Sequence, residues 1–105
     1  MSGTNTGIDN IALGISSLAA NTSGQQNTAV GGESLVQNST ASFNTALGYN
    51  SMRFFNGNQN TAVGYQAGNG INPASSTGTH NVFMGYQAGF RNTTGINNVL
   101  IGAFS

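Results

Sequence analysis

The nine residues Asn60-Thr61-Ala62-Val63-Gly64-Tyr65-Gln66-Ala67-Gly68 return almost unchanged as Asn81-Val82-Phe83-Met84-Gly85-Tyr86-Gln87-Ala88-Gly89. Aligned on the leading Asn and the Gly four residues later, further copies begin at Asn10, Asn27, Asn44 and Asn98. The spacings between successive leading Asn residues are 17, 17, 16, 21 and 17. Such a period means that each unit buries its apolar side chains by stacking on its neighbours, as in a solenoid. The expected organisation is a lead-in over residues 1–9 and a repeat domain over 10–105. The unit beginning at Asn60 carries an extra loop, Asn69 to His80, and the only Pro.

Helix is excluded by the recurrence of Gly and Asn every few residues, since each Gly costs about 1 kcal/mol relative to Ala in a helix interior. A short strand fits each unit, and alternation then sorts its residues onto two faces. One face carries Ile11, Thr28, Thr45, Thr61, Val82 and Val99. It also carries the aliphatic column Leu13, Val30, Leu47, Val63, Met84 and Ile101, followed by Tyr49, Tyr65 and Tyr86 in three units. The other face carries Ala12, Ala29, Ala46 and Ala62, which become Phe83 and Leu100 in the last two units, and then the six glycines.

Neither face is charged near the repeat centre, so the strands read as buried on both sides. A single coil of about 17 residues has one interior and covers one face only, which leaves the second for a companion chain. The expectation is that the aliphatic column is the core within the coil and that the Ala/Gly face meets the companion, with the reverse assignment open. The leading asparagines Asn10, Asn27, Asn44, Asn60, Asn81 and Asn98 are expected at a corner, where side-chain amides satisfy turn backbone and stack in a ladder. The tyrosine column is expected to stack likewise.

Composition narrows the function. Gly, Asn, Ser and Thr make up 54 of the 105 residues, and only four residues carry formal charge. That balance also fits a disordered tract, but disorder gives no reason for aliphatic residues at one position of six successive units. With Arg53 and Arg91 as the only strong cations, a nucleic-acid partner has no support. No apolar run approaches the roughly 18 residues of a membrane span, and no direct membrane insertion is expected. The absence of Cys removes disulfides and thiolate metal sites.

The motif Asn-Thr-Ala-Val-Gly-Tyr-Gln-Ala-Gly resembles the head repeats of trimeric autotransporter adhesins and, more closely, repeats of phage tail fibres and related trimeric fibre proteins with an intramolecular chaperone. The resemblance covers roughly residues 8–105 and departs at Phe83 and Leu100. It implies an all-β, left-handed parallel β-roll assembled as a homotrimer. It further implies a setting on a virion tail fibre or a bacterial cell surface, outside the cell. The function it implies is a non-catalytic structural segment of a fibre or adhesin serving host attachment or cell adhesion. Such a segment displays a surface for a glycan or protein receptor. A monomeric β-solenoid binding module is the alternative.

Catalysis is not expected. Asp9, Glu33 and His80 fall on different units, so no acid/base pair is evident, and zinc would need three or four ligands; no cofactor is expected. Asn21-Thr22-Ser23, Asn38-Ser39-Thr40 and Asn92-Thr93-Thr94 match the glycosylation pattern, which chance explains in a chain this rich in Asn, Ser and Thr. Candidate receptor contacts are Asn72, Pro73 and His80 in the long loop, with Arg53, Phe54 and Phe55 next to a turn. Phe43 is expected to fold inward at a corner.

Overall fold

The structure is a computed structural model that describes residues 6–105. Among the described residues there are six strands of three residues each: β1 (Ile11–Leu13), β2 (Thr28–Val30), β3 (Thr45–Leu47), β4 (Thr61–Val63), β5 (Val82–Met84) and β6 (Val99–Ile101). They form one parallel sheet in sequence order, and every residue pairs with its equivalent in the next unit, as in Ala29↔Ala46 and Ala46↔Ala62. One strand per unit, in uniform register, makes a β-solenoid of about five turns. The described part of the lead-in joins the stack: the Thr6 amide donates to the Thr22 carbonyl at 2.6 Å, and the Gln26 amide to the Ile8 carbonyl at 3.0 Å. The remainder of the lead-in lies outside the described residues. No helix is long and apolar enough to cross a membrane among the described residues.

The two strand faces are reversed from the expected assignment. Ala29, Ala46, Ala62 and Phe83 are fully buried inside the coil, whereas Leu13, Leu47, Met84 and Ile101 are exposed and Val30 and Val63 half-exposed on the outside. The coil interior is about one side chain wide, so its two walls divide the volume. The strand wall supplies small residues, and the opposite wall supplies Leu18, Leu35 and Met52, eight residues after each leading Asn. Alternation along the strand then forces the aliphatic column outward. The Thr column, read as core, is half-buried on that same outer face in β2, β3 and β4.

Phe83 shows how this division is kept when the strand residue is large. Its ring is fully buried and lies 6.1 Å, edge to face, from that of the buried Phe55. The positions that hold Leu18, Leu35 and Met52 in other units are here Gly68 and Gly89. A Cβ on either would approach the Phe83 ring within 2.5 Å and 2.2 Å respectively. The bulky residue that departs from the Ala column is therefore accommodated from the facing wall.

Strands account for a small part of each coil, and left-handed backbone turns the rest. Positive φ recurs at the Gly four residues after each leading Asn and at three further positions per unit. One is the residue before the leading Asn, as at Gln26, Phe43 and Gln59; the others lie six and eight residues after it, as at Glu33 and Leu35. Each non-Gly residue there costs about 1–2 kcal/mol, and inter-coil hydrogen bonds offset the cost, such as Leu35 N to Ser51 O at 3.0 Å and Gln66 N to Tyr49 O at 2.9 Å. That backbone points Phe43 outward, and it is exposed rather than folded into the corner.

Candidate functional site

Among the described residues, two side-chain ladders and one ion pair are the features from which a function can be built. Along the first ladder each leading Asn accepts from the backbone of the next. The amides of Asn27, Asn44, Asn60, Asn81 and Asn98 donate to the Oδ1 of Asn10, Asn27, Asn44, Asn60 and Asn81 at 2.9–3.0 Å. The Nδ2 groups of Asn10, Asn27, Asn60 and Asn81 donate across the coil to the carbonyls of Gly24, Ala41, Gly78 and Gly95. Asn44 Nδ2 has no such partner, and its coil is the one a residue shorter than the common period.

This ladder is structural in consequence. Asn60→Ala removes two donor contacts and leaves the buried Asn81 amide without its acceptor. With about 1–3 kcal/mol for each buried group left unpaired, the variant should lose about 2–3 kcal/mol in urea titration followed by circular dichroism.

A second buried Asn column was missed in the sequence. Asn21 and Asn38 follow their leading Asn by eleven residues, are fully buried, and donate to the carbonyls of Gly24 and Ala41. Phe55 takes the equivalent place in the third coil. The Asn-x-Ser/Thr pattern at residues 21, 38 and 92 thus follows the coil period and is not a matter of chance. The regular spacing was the signal that could have revealed it.

On the outer surface Tyr49, Tyr65 and Tyr86 stack with ring centroids 5.8 and 5.3 Å apart and planes within 14° and 10° of parallel. Phe104 closes the column edge to face at 5.3 Å. At the other end the column is interrupted: Gly32 stands where the next tyrosine would be, with Ile15 beyond it. A hollow of about 390 Å³ opens there, lined by Ile15, Gly32, Glu33 and Tyr49. A second hollow, of about 460 Å³, lies at the last coil among Gln87, Phe90, Arg91 and Leu100.

Glu33 and Arg53, on adjacent coils, form an ion pair with Nε–Oε2 at 2.7 Å, off the line a hydrogen bond needs. The guanidinium also lies 4.7 Å above the Phe54 ring. Both charged side chains are about a third exposed, so the pair contributes little to stability. It does fix a carboxylate beside the interrupted tyrosine column.

The other candidate contacts do not converge. Phe55 is buried in the core and is withdrawn as a surface residue, because the third coil uses it to fill the interior against Phe83. Asn72 and Pro73 lie at the tip of the long loop, where Asn72 Oδ1 accepts from the Ala74 and Ser75 amides. The loop base is tied into the stack by Asn56 N to Ser76 O and Gly78 N to Thr93 O. His80 is exposed at the Asn corner, its Nδ1 3.0 Å from Thr79 Oγ1. Among the described residues no three His, Cys, Asp or Glu side chains come together.

Comparison with family models, curated proteins and solved structures returned no match to this chain.

Proposed function

We propose that the chain is a non-catalytic segment of a homotrimeric fibre or adhesin, wound as a left-handed β-roll, with the outer sheet face turned toward the trimer axis. The observation that carries this reading is an uncharged apolar stripe along the whole sheet. It comprises Leu13, Val30, Leu47, Val63, Met84 and Ile101, flanked by Ile11, Val82 and Val99. Contiguous exposed apolar surface of this kind marks an interaction face. Its repetition on every rung suits a partner with the same rise per coil, which another copy of the chain supplies. The number three comes from the resemblance of the repeat to trimeric fibre proteins. An extracellular setting on a virion or bacterial surface, with a glycan or protein receptor, belongs to the same reading.

Because the fold of one coil does not need the outer column, substitution there separates assembly from folding. Leu47→Asp places three charges around the proposed axis, and an unpaired buried charge costs several kcal/mol. Multi-angle light scattering should give three times the chain mass for the wild type and one chain mass for Leu47→Asp, with the β-type circular dichroism kept. A wild-type chain that is monomeric at micromolar concentration sinks the trimer and leaves a solenoid binding module.

A further inference from the structure

We propose that the interruption in the tyrosine column is a binding slot that takes one neutral, hydroxylated sugar ring. Three observations carry this. First, one ring of the column is missing: Tyr49 stacks on Tyr65 on one side, while on its other side it borders Gly32, which has no side chain, and the next side chain in the column is Ile15. Tyr49 is 50% and Ile15 84% exposed in the single chain, and both lie past the strand ends, outside the stripe proposed for the trimer contact, so both walls present apolar surface to solvent. Second, the hollow of about 390 Å³ falls within the roughly 300–1,000 Å³ of small-molecule clefts. Third, Glu33 is the charged residue among those lining the hollow, and its carboxylate is already paired with Arg53.

The neutralised pair selects the ligand class. A cation gains little from a carboxylate whose charge is compensated, and an anion meets that carboxylate first. A neutral ring with one apolar C–H face and peripheral hydroxyls satisfies both walls. The C–H face lies on the Tyr49 ring, and a hydroxyl donates to Glu33, a charge-assisted hydrogen bond of the stronger kind. A purely aromatic ligand would stack equally well but would leave the carboxylate without a donor.

This inference deepens the receptor-display part of the proposed function and rests on it only there. Gly32 supplies the decisive variant, since its φ lies outside the left-handed region and an added Cβ meets the movable Tyr49 ring at 3.2 Å and the Ile15 carbonyl oxygen at an ordinary 3.9 Å. Gly32→Tyr extends the stack by one rung and fills the slot with the ring that the other coils carry.

The experiment is saturation-transfer NMR on the intact chain, with methyl glycosides of glucose, galactose, mannose and N-acetylglucosamine at millimolar concentration. p-Cresol and tetramethylammonium serve as rival probes. At least one glycoside should receive saturation at its ring C–H protons. The affinity should fall at least tenfold in Gly32→Tyr and about threefold in Glu33→Gln, and stay unchanged in His80→Ala. If Gly32→Tyr does not fold, Tyr49→Leu replaces it, with the same tenfold loss expected. The proposal is overturned by silence from all four glycosides, by binding that survives the filled slot, or by p-cresol or tetramethylammonium binding tighter than every glycoside. Light scattering on the same samples reports assembly separately, so loss of the trimer and loss of the slot are read independently.

Discussion

Gly48→Ala should lower the stability of the chain by about 4 kcal/mol. Gly48 has φ +132, and a Cβ there would lie 2.5 Å from the Gly64 carbonyl oxygen and 2.8 Å from its carbon. Both are backbone atoms of the next coil, held by the ladder on each side, so neither can yield without opening a rung. The strained φ costs about 1–3 kcal/mol and overpacking about 1–3 kcal/mol more, together about 4 kcal/mol. Domains are stable by only about 5–15 kcal/mol, so the loss is a large fraction of the whole. The control is Gly32→Ala, one residue beyond the equivalent glycine of the preceding unit, where the neighbour is a side chain that can move. Urea titration followed by circular dichroism should show a small change for Gly32→Ala and a loss of about 4 kcal/mol for Gly48→Ala. A Gly48→Ala variant as stable as Gly32→Ala would mean that successive coils are farther apart than described.

Phe83→Ala should cost about 3–5 kcal/mol, the usual range for deleting a buried aromatic side chain, because the ring fills the interior from the strand wall and touches Phe55. The informative variant is the double one. Leu18 and Leu35 adopt φ 52 and 49 at the position that Gly68 occupies with φ 58, so Leu at residue 68 has a backbone it already tolerates elsewhere in this chain. Phe83→Ala combined with Gly68→Leu restores the small-strand, large-wall arrangement of the earlier coils and should recover at least half of the lost stability. Gly68→Leu alone should destabilise, since its side chain would enter the Phe83 ring. Urea titrations of the two single variants and the double variant form a cycle, and additive losses would show that the two walls do not share one volume.

These variants also mark where sequence reasoning ran out. The period, the strand in each unit, the sorting of residues into columns and the Asn corner followed from the spacing alone, because parallel stacking in register demands identical residue types at identical positions. Stacking of Tyr49, Tyr65 and Tyr86 followed for the same reason. Alternation assigned Ala46 and Leu47 to opposite faces, but it carries no sign. Which face is inside depends on the direction in which the chain bends after each strand, and that bend is set by backbone at positive φ. Much of it sits at Gln, Glu, Leu, Met and Phe residues, whose side chains give no sign that they will adopt it. Only the tertiary structure could decide that small residues line the strand wall, that Leu18, Leu35, Met52 and Phe55 fill the rest, and that Leu47 and Val63 face outward. The pairing of Glu33 with Arg53 beside the gap at Gly32 was likewise undetermined by spacing, since it depends on how two turns from successive coils lie against each other.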